Sequence, residues 1–301
     1  PMTRERPIEA GNERGAVGVD ARGVLAPCPA TPEELHAFLR VHAGLRIART
    51  PLCPGSAAPF DYLVHAFFEG RVWHQGRWRA GPADCVLWAN RGGGKTFLGA
   101  VATALDLAFK PGVQVRILAG SAEQGSHMFG HLRRLFARRP FDALLDGRPT
   151  RRRLAVRSGG VVEVLAASQA SVRGTRPQKL RADELDLFDA ELWRAAQLTT
   201  RSLEMPGPWG RTVRGSIDAL STMHRPMGLM HRVAGESHGP EHWRGPDPAG
   251  PRGRLLLRWN IIDCLEHCPP GRACDGCGLW DACAGGAKSR PPEDAGHVAI
   301  D

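Results

Sequence analysis

Two short segments of the chain carry the residue types that phosphate chemistry needs. The first is Trp88-Ala-Asn-Arg-Gly-Gly-Gly-Lys-Thr96. Gly92, Gly93 and Gly94 let a backbone turn tightly and approach an anion, and a helix starting just after them adds the positive end of its dipole. Lys95 supplies a compact charge for terminal phosphate oxygens, and Thr96 a hydroxyl for Mg²⁺. Asn90 and Arg91 complete the loop. Arg91 has two readings: a guanidinium that stabilises charge on a transferring phosphoryl group, or a solvent-facing loop side chain. The first glycine of the usual eight-residue pattern is missing, and Ala89 stands in its place.

The second segment is Lys179-Leu-Arg-Ala-Asp183-Glu184. Phosphoryl transfer to water needs one acid beside the metal and another to orient and deprotonate the water. Asp183, at the end of a strand, suits the metal, and Glu184 suits the base. Lys179 and Arg181 interrupt a strand that should be apolar, so the competing reading is one amphipathic helix from Asp183 to Trp193 with a solvated acidic face. Taken together, the two segments imply a site for ATP and Mg²⁺.

A third set of residues is soft. Of eight cysteines, Cys28, Cys53 and Cys85 are scattered, whereas Cys264, Cys268, Cys274, Cys277 and Cys283 are clustered. Without an export signal, such a cluster points to a metal rather than to disulfides. Four thiolates suit tetrahedral Zn²⁺, and Cys274-x2-Cys277 has knuckle spacing. An iron–sulfur cluster also takes four thiolates but is less favoured, since the spacing is not that of the ferredoxins. The fifth cysteine and His267 leave the ligand set open, and unligated thiols are the plainer alternative.

These residues require elements to place them. Thr31 N-caps a helix reaching about His42, with Glu33 and Glu34 in its first turn. Cys85–Trp88 is a strand, the glycines a turn, and Lys95 to about Phe109 a helix. A strand over Val113–Leu118, a helix over about Glu123–Arg138, and a hairpin turning at Ser158-Gly-Gly160 follow. Next come a strand ending at Asp183, a helix over about Ala190–Ser202, a strand over Thr212–Leu220, a helix over Pro226–Ala234 and a strand over Leu255–Trp259. Alternating strands and helices predict an α/β fold: a P-loop NTPase core with a mostly parallel sheet flanked by helices, followed by a small Cys-rich metal knuckle. The expected divisions are a partly disordered lead-in over 1–80, the ATPase core over 81–235, a Gly/Pro-rich linker over 236–256 and the Cys-rich module over 257–301.

Composition limits the partners. The 301 residues carry a net charge of +9 and a pI near 9.6, which favours a polyanion, nucleic acid above all. The basic residues are mostly arginine, however, a bias that a GC-rich genome also produces. No run of eighteen apolar residues and no apolar signal core occur, so the reading is a soluble, intracellular protein without a membrane partner.

Five segments in order resemble the large terminase subunit of tailed bacteriophages. They are Ala89–Thr96, Ser121-Ala-Glu-Gln124, Ser171-Val-Arg-Gly-Thr-Arg-Pro177, Ala182-Asp-Glu-Leu-Asp186 and Ser221-Thr-Met-His-Arg-Pro-Met-Gly228. The resemblance spans about residues 80 to 300. It implies that Arg91 acts at the phosphates, that Asp183 and Glu184 are the acid pair, and that Ser221 and Thr222 couple hydrolysis to motion. The plainer reading of Ser221 and Thr222 is a helix cap. Arg173 and Arg176 are candidates for DNA phosphates or for a neighbouring subunit's nucleotide, and equally for solvated side chains. The family implies ATP-driven packaging of double-stranded DNA into a procapsid. Its partners would be a viral portal and a small terminase subunit, in a homo-oligomeric ring, in the cytoplasm of an infected bacterial host. The family's nuclease would lie beyond Asp301, so no DNA cleavage is expected of these residues. A helicase-like ATPase and a non-catalytic DNA- or capsid-binding remnant are the alternatives.

Overall fold

The computed structural model describes residues 17–165, 168–204, 212–244 and 253–292. The disorder expected near the N-terminus, the middle of the expected linker and the last residues of the Cys-rich module therefore fall partly outside the described residues.

Thr31 opens helix α1 (Pro32–Val41), its hydroxyl accepting the Glu34 N–H at 3.2 Å. Helix α2 (Pro59–Phe67) follows, and the two bury Leu35, Phe38, Leu39, Phe60, Leu63 and Phe67. The α/β alternation then begins with β1 (Asp84–Ala89), α3 (Lys95–Phe109), β2 (Gln114–Ala119) and α4 (Ala122–Phe136). Strands β3 (Arg153–Ala155) and β4 (Val161–Val164) form the expected hairpin, turning at Gly159 with φ 82°. The remainder is β5 (Lys179–Asp183), α5 (Ala190–Ala196), β6 (Ser216–Ser221), α6 (Leu229–Gly235) and β7 (Arg254–Trp259).

The seven strands make one sheet in the order β7-β1-β6-β5-β2-β4-β3. Every neighbouring pair is parallel except the β3–β4 hairpin. Side chains alternate across the strands and build two cores. Leu87, Val115, Ile117, Leu220 and Leu257 join the core that α1 to α4 cover. Val86, Leu118, Leu180, Ala182, Ile217 and Ala219 join Leu192 and Trp193 of α5 and Met230 and Val233 of α6.

Four expected boundaries change, the first being that the helix expected from Pro226 opens only at Leu229, after Gly228. Helix α5 stops at Ala196, where Gln197 caps it, instead of continuing to Ser202. The expected strand from Thr212 splits: Thr212–Val213 pairs with Leu203–Glu204, and β6 begins only at Ser216. Gly215 lies between them because a Cβ there would come within 2.9 Å of the Arg201 backbone. The expected linker is also tied to the sheet: β7 starts at Arg254, pairs with β1 and buries Leu255, Leu257 and Trp259, while His238 bridges Leu255.

Lys179 and Arg181 belong to the sheet, so the long amphipathic helix from Asp183 does not form. With a period of two, Lys179, Arg181 and Asp183 share one face of β5. The first two end in a buried ionic network. Lys179 donates to Glu69 Oε2 at 2.6 Å and to Ser216 Oγ at 3.1 Å. Lys110 reaches Asp106 Oδ1 at 2.6 Å and the other oxygen of Glu69. Arg181 spans Asp106 on α3 and Asp218 on β6, and the Tyr62 hydroxyl donates to Asp218 at 2.8 Å. Three cations face three anions, all nearly inaccessible to solvent. Buried charges persist only when paired in this way.

Candidate active site

The network fixes α3 against β5 and β6, and the far ends of those elements meet at the glycine loop. Gly94, with φ 75°, caps α3, and Gly92 has φ 74°. Gly93 has no room for a side chain, since a Cβ would lie 2.9 Å from the Asn90 carbonyl oxygen. The loop is anchored from β7, where the Trp259 indole donates to the Gly93 carbonyl at 2.8 Å.

Lys95 is buried beneath the loop. Its ammonium donates to the carbonyls of Ala89 and Asn90 at 3.2 and 3.1 Å and to the Thr222 hydroxyl at 2.8 Å. Burial pushes its pKa down, against the pull of Glu184 and Asp183. The Thr96 hydroxyl donates to both Asp183 oxygens at 3.2 Å. Burial, and then the charge of Glu184, lift the Asp183 carboxyl to about 7, while Thr96 and Lys95 act the other way. A carboxylate so strained in its ionised form is suited to meeting a cation.

Glu184 follows at φ 56°, a region that non-glycine residues rarely adopt and that is enriched at functional sites. Its Oε2 lies 2.9 Å from His224 Nε2. The His224 segment is held by buried Asp186, whose carboxylate accepts the N–H groups of His224, Arg225 and Met230 at 2.8, 3.0 and 2.9 Å. Ser221 is buried, accepting the Asp186 N–H at 3.2 Å and donating to the Thr222 carbonyl at 2.8 Å. It is therefore the last residue of β6 and not the cap of a helix.

A cavity of about 260 Å³ opens over these groups, lined by Arg91, Lys95, Thr96, Gln124, Asp183 and Glu184 among others. Arg91 is exposed at its rim. Asn90 Oδ1 and Gln124 Oε1 are buried without a hydrogen-bond partner. The unmet acceptor of Gln124, in the same cavity wall as Thr96 and Asp183, fits a hydrated Mg²⁺, whose waters donate outward.

The geometry thus brings together residues 90–96, 183, 184 and 222. Ser221 stays behind them, in the core. The sequence reading passed over His224 and Asp186 as contributors, although both lie inside quoted segments. Only their proximity in space marks them. Arg173 and Arg176 are exposed.

The five clustered cysteines behave differently. All line a separate cavity of about 600 Å³ with His267. The expected zinc site is not formed: among the described residues, no three His, Cys, Asp or Glu side chains are placed to hold one ion. Cys264 is drawn away into the core, its thiol donating to the Gly93 carbonyl at 3.8 Å, and burial pushes its pKa up to about 12. Among the described residues, no helix is long and apolar enough to cross a membrane.

No protein-family model matches the chain, and no curated protein matches its sequence. Solved structures do match. The large terminase of bacteriophage HK97 aligns at TM-score 0.50 and 16% identity, covering 88% of this chain and 50% of that one. The fold is similar to that of about half of this phage large terminase. The ATPase domain of the Thermus phage P74-26 large terminase aligns at TM-score 0.40 and 16% identity, over 64% of this chain and 82% of that chain. The large terminase of another thermophilic bacteriophage aligns at 0.43 and 11%, over 71% and 47%. The chain spans about half the length of that terminase and of the HK97 protein. Its seven-stranded, mostly parallel sheet flanked by helices is the shared part.

Proposed function

We propose that this chain is the ATPase motor of a large terminase, hydrolysing Mg²⁺-bound ATP to drive double-stranded viral DNA into a procapsid. One observation carries the reading: Lys95 and Thr96 of the glycine loop touch Thr222 and Asp183, so three segments distant in sequence meet at the loop, beside the cavity that Lys95, Thr96 and Asp183 line. Bound Mg²⁺ would offset the charge of the terminal phosphates, with Thr96 and Asp183 as its protein partners. Lys95 leaves the loop carbonyls and Thr222 to meet phosphate oxygens. Glu184 orients the attacking water and takes its proton. Arg91, at the cavity rim, has the reach and permanent charge to grip the γ-phosphate as charge builds there.

Because Thr222 is a hydrogen-bond partner of Lys95, it senses whether the lysine is engaged with phosphate. Strand β6 carries that difference into the sheet, which supports a coupling role for Thr222, with Ser221 securing the strand end. The exposed Arg173 and Arg176, together with the net charge of +9, support contact with DNA phosphates. A portal, a small terminase subunit and a ring of copies are the partners this reading requires, in the cytoplasm of an infected bacterium.

The test is hydrolysis measured with and without duplex DNA. Glu184→Gln is expected to bind ATP like the unaltered protein and to lose at least about a hundredfold in single-turnover rate, the scale of a lost general base. Undiminished hydrolysis in this variant removes Glu184 from the role. Strand displacement on a forked duplex would favour a helicase over a packaging motor.

A further inference from the structure

The segment after β6 touches two of the groups that the chemistry must use. The Thr222 hydroxyl accepts from Lys95 at 2.8 Å, and two residues later His224 Nε2 meets Glu184 Oε2 at 2.9 Å. Lys95 and Glu184 line the nucleotide cavity, whereas His224 stands outside its lining. The need for such a contact comes from the backbone. Strand β5 ends at Asp183, and Glu184 turns off it at φ 56°, so the alternation of the sheet no longer aims its side chain. A long carboxylate side chain in that position keeps rotamer freedom, which is costly where a water must be held in line with a phosphate. Among the described residues, His224 is the one side chain that hydrogen-bonds the Glu184 carboxylate.

His224 is held from a clamped backbone. Asp186 Oδ2 accepts its N–H at 2.8 Å and that of Arg225 at 3.0 Å, and Oδ1 accepts the N–H of Met230 at 2.9 Å. Gly228 fits against the same carboxylate, since a Cβ there would come within 2.5 Å of Asp186 Oδ1. Asp186 is itself buried, and its N–H donates to Ser221 Oγ at 3.2 Å, at the end of β6. Because Asp186 sits just past Glu184 in the chain, the stretches carrying Glu184 and His224 are tied together right beside the contact of the two side chains.

The direction of that hydrogen bond follows from its chemistry. An ionised carboxylate only accepts, so His224 Nε2 carries the proton and donates. We infer that His224 is a positioning residue for the water-activating step: it fixes Glu184 in one orientation, with Oε2 occupied and Oε1 left for the attacking water. This role rests on the ATPase reading and adds to it a residue that touches neither nucleotide nor metal. Since Thr222 reaches Lys95 from the same segment, the residues after β6 serve the phosphate end and the water end of the site together.

The experiment is single-turnover hydrolysis and ATP binding, measured on the 301-residue chain and on its His224→Ala, His224→Gln, Glu184→Gln and doubly substituted His224→Ala/Glu184→Gln forms. The His224 side chain is 40% exposed, so its removal should leave folding intact, which thermal unfolding checks. His224→Ala should lose roughly ten- to a hundredfold in rate, the scale of a misplaced catalytic group, with ATP affinity within about twofold of the unaltered chain. His224→Gln, whose amide donates from a similar reach, should recover most of that rate. In the Glu184→Gln background the same His224→Ala change should cost nothing more, because the group it acts through is gone. Undiminished hydrolysis in His224→Ala beside an inactive Glu184→Gln would overturn the role, as would no recovery in His224→Gln or a full further loss in the double variant. Absence of hydrolysis in the unaltered chain would instead overturn the ATPase reading, and the role with it.

Discussion

The ionic network under the sheet and the Cys-rich module after it are both polar regions, and they solve the problem of polarity in opposite ways. In the network, each charge meets its opposite within the chain: Glu69, Asp106 and Asp218 against Lys110, Lys179 and Arg181. In the module, the inward-facing groups are thiols with no such partners around an open cavity. The first region pairs all of its charges as folded, and it ties α3, β5 and β6 together beneath the contact of Thr96 with Asp183. The second is arranged as a shell around a cavity of about 600 Å³, with its cysteines half-buried and few apolar side chains to support it. A polar interior is therefore not by itself a sign of a binding site; what counts is whether its groups already satisfy one another.

The largest effect should come from breaking the network. Arg181→Met removes the group shared by Asp106 and Asp218 and strands buried charge. A loss of about 3–5 kcal/mol in unfolding free energy is expected from urea titration. A loss below about 1 kcal/mol would mean that the network contributes little. Acid should attack the same region. Burial alone would raise the Glu69 carboxyl, but Lys110 and Lys179 outweigh it and hold it at about 2, below its ordinary 4.5. Its contribution is thus fully present above about pH 4.5 and is lost as pH falls toward 2, by roughly 3 kcal/mol. Urea midpoints measured across that range should fall less steeply in Glu69→Gln than in the unaltered protein, whatever the variant's starting stability. The smallest effect on the sheet should come from the module. Cys277→Ala should change global unfolding by less than about 0.5 kcal/mol, while amide exchange quickens over residues 265–289 alone. Faster exchange in β1, β5 or β6 would show that the two regions are not independent.

Much of the fold was legible because it follows local rules. Thr31 reads as a cap, the hydrophobic alternation gives strands, and Gly92 to Gly94 before Lys95 can hardly be anything but a tight turn opening a helix. What misled was charge within a strand. Lys179 and Arg181 count against burial in any window of sequence, because their partners are 110 and 37 residues away. The break in the expected strand from Thr212 is hidden for a similar reason: Gly215 fits closely against Arg201, a contact that no local pattern contains.

The sequence by itself determined the chemistry available: a glycine loop with Lys95 and Thr96, an acid pair at Asp183 and Glu184, hydroxyls at Ser221 and Thr222, and a run of cysteines. Tertiary structure decided how those groups are divided. It sent Thr222 to Lys95 and Ser221 into the core, set His224 against Glu184, and removed Cys264 from its neighbours to pack under Gly93. The physical reason is that residue type fixes what a side chain can donate, accept or ligate, whereas desolvation and pairing depend on neighbours brought together only when the sheet closes.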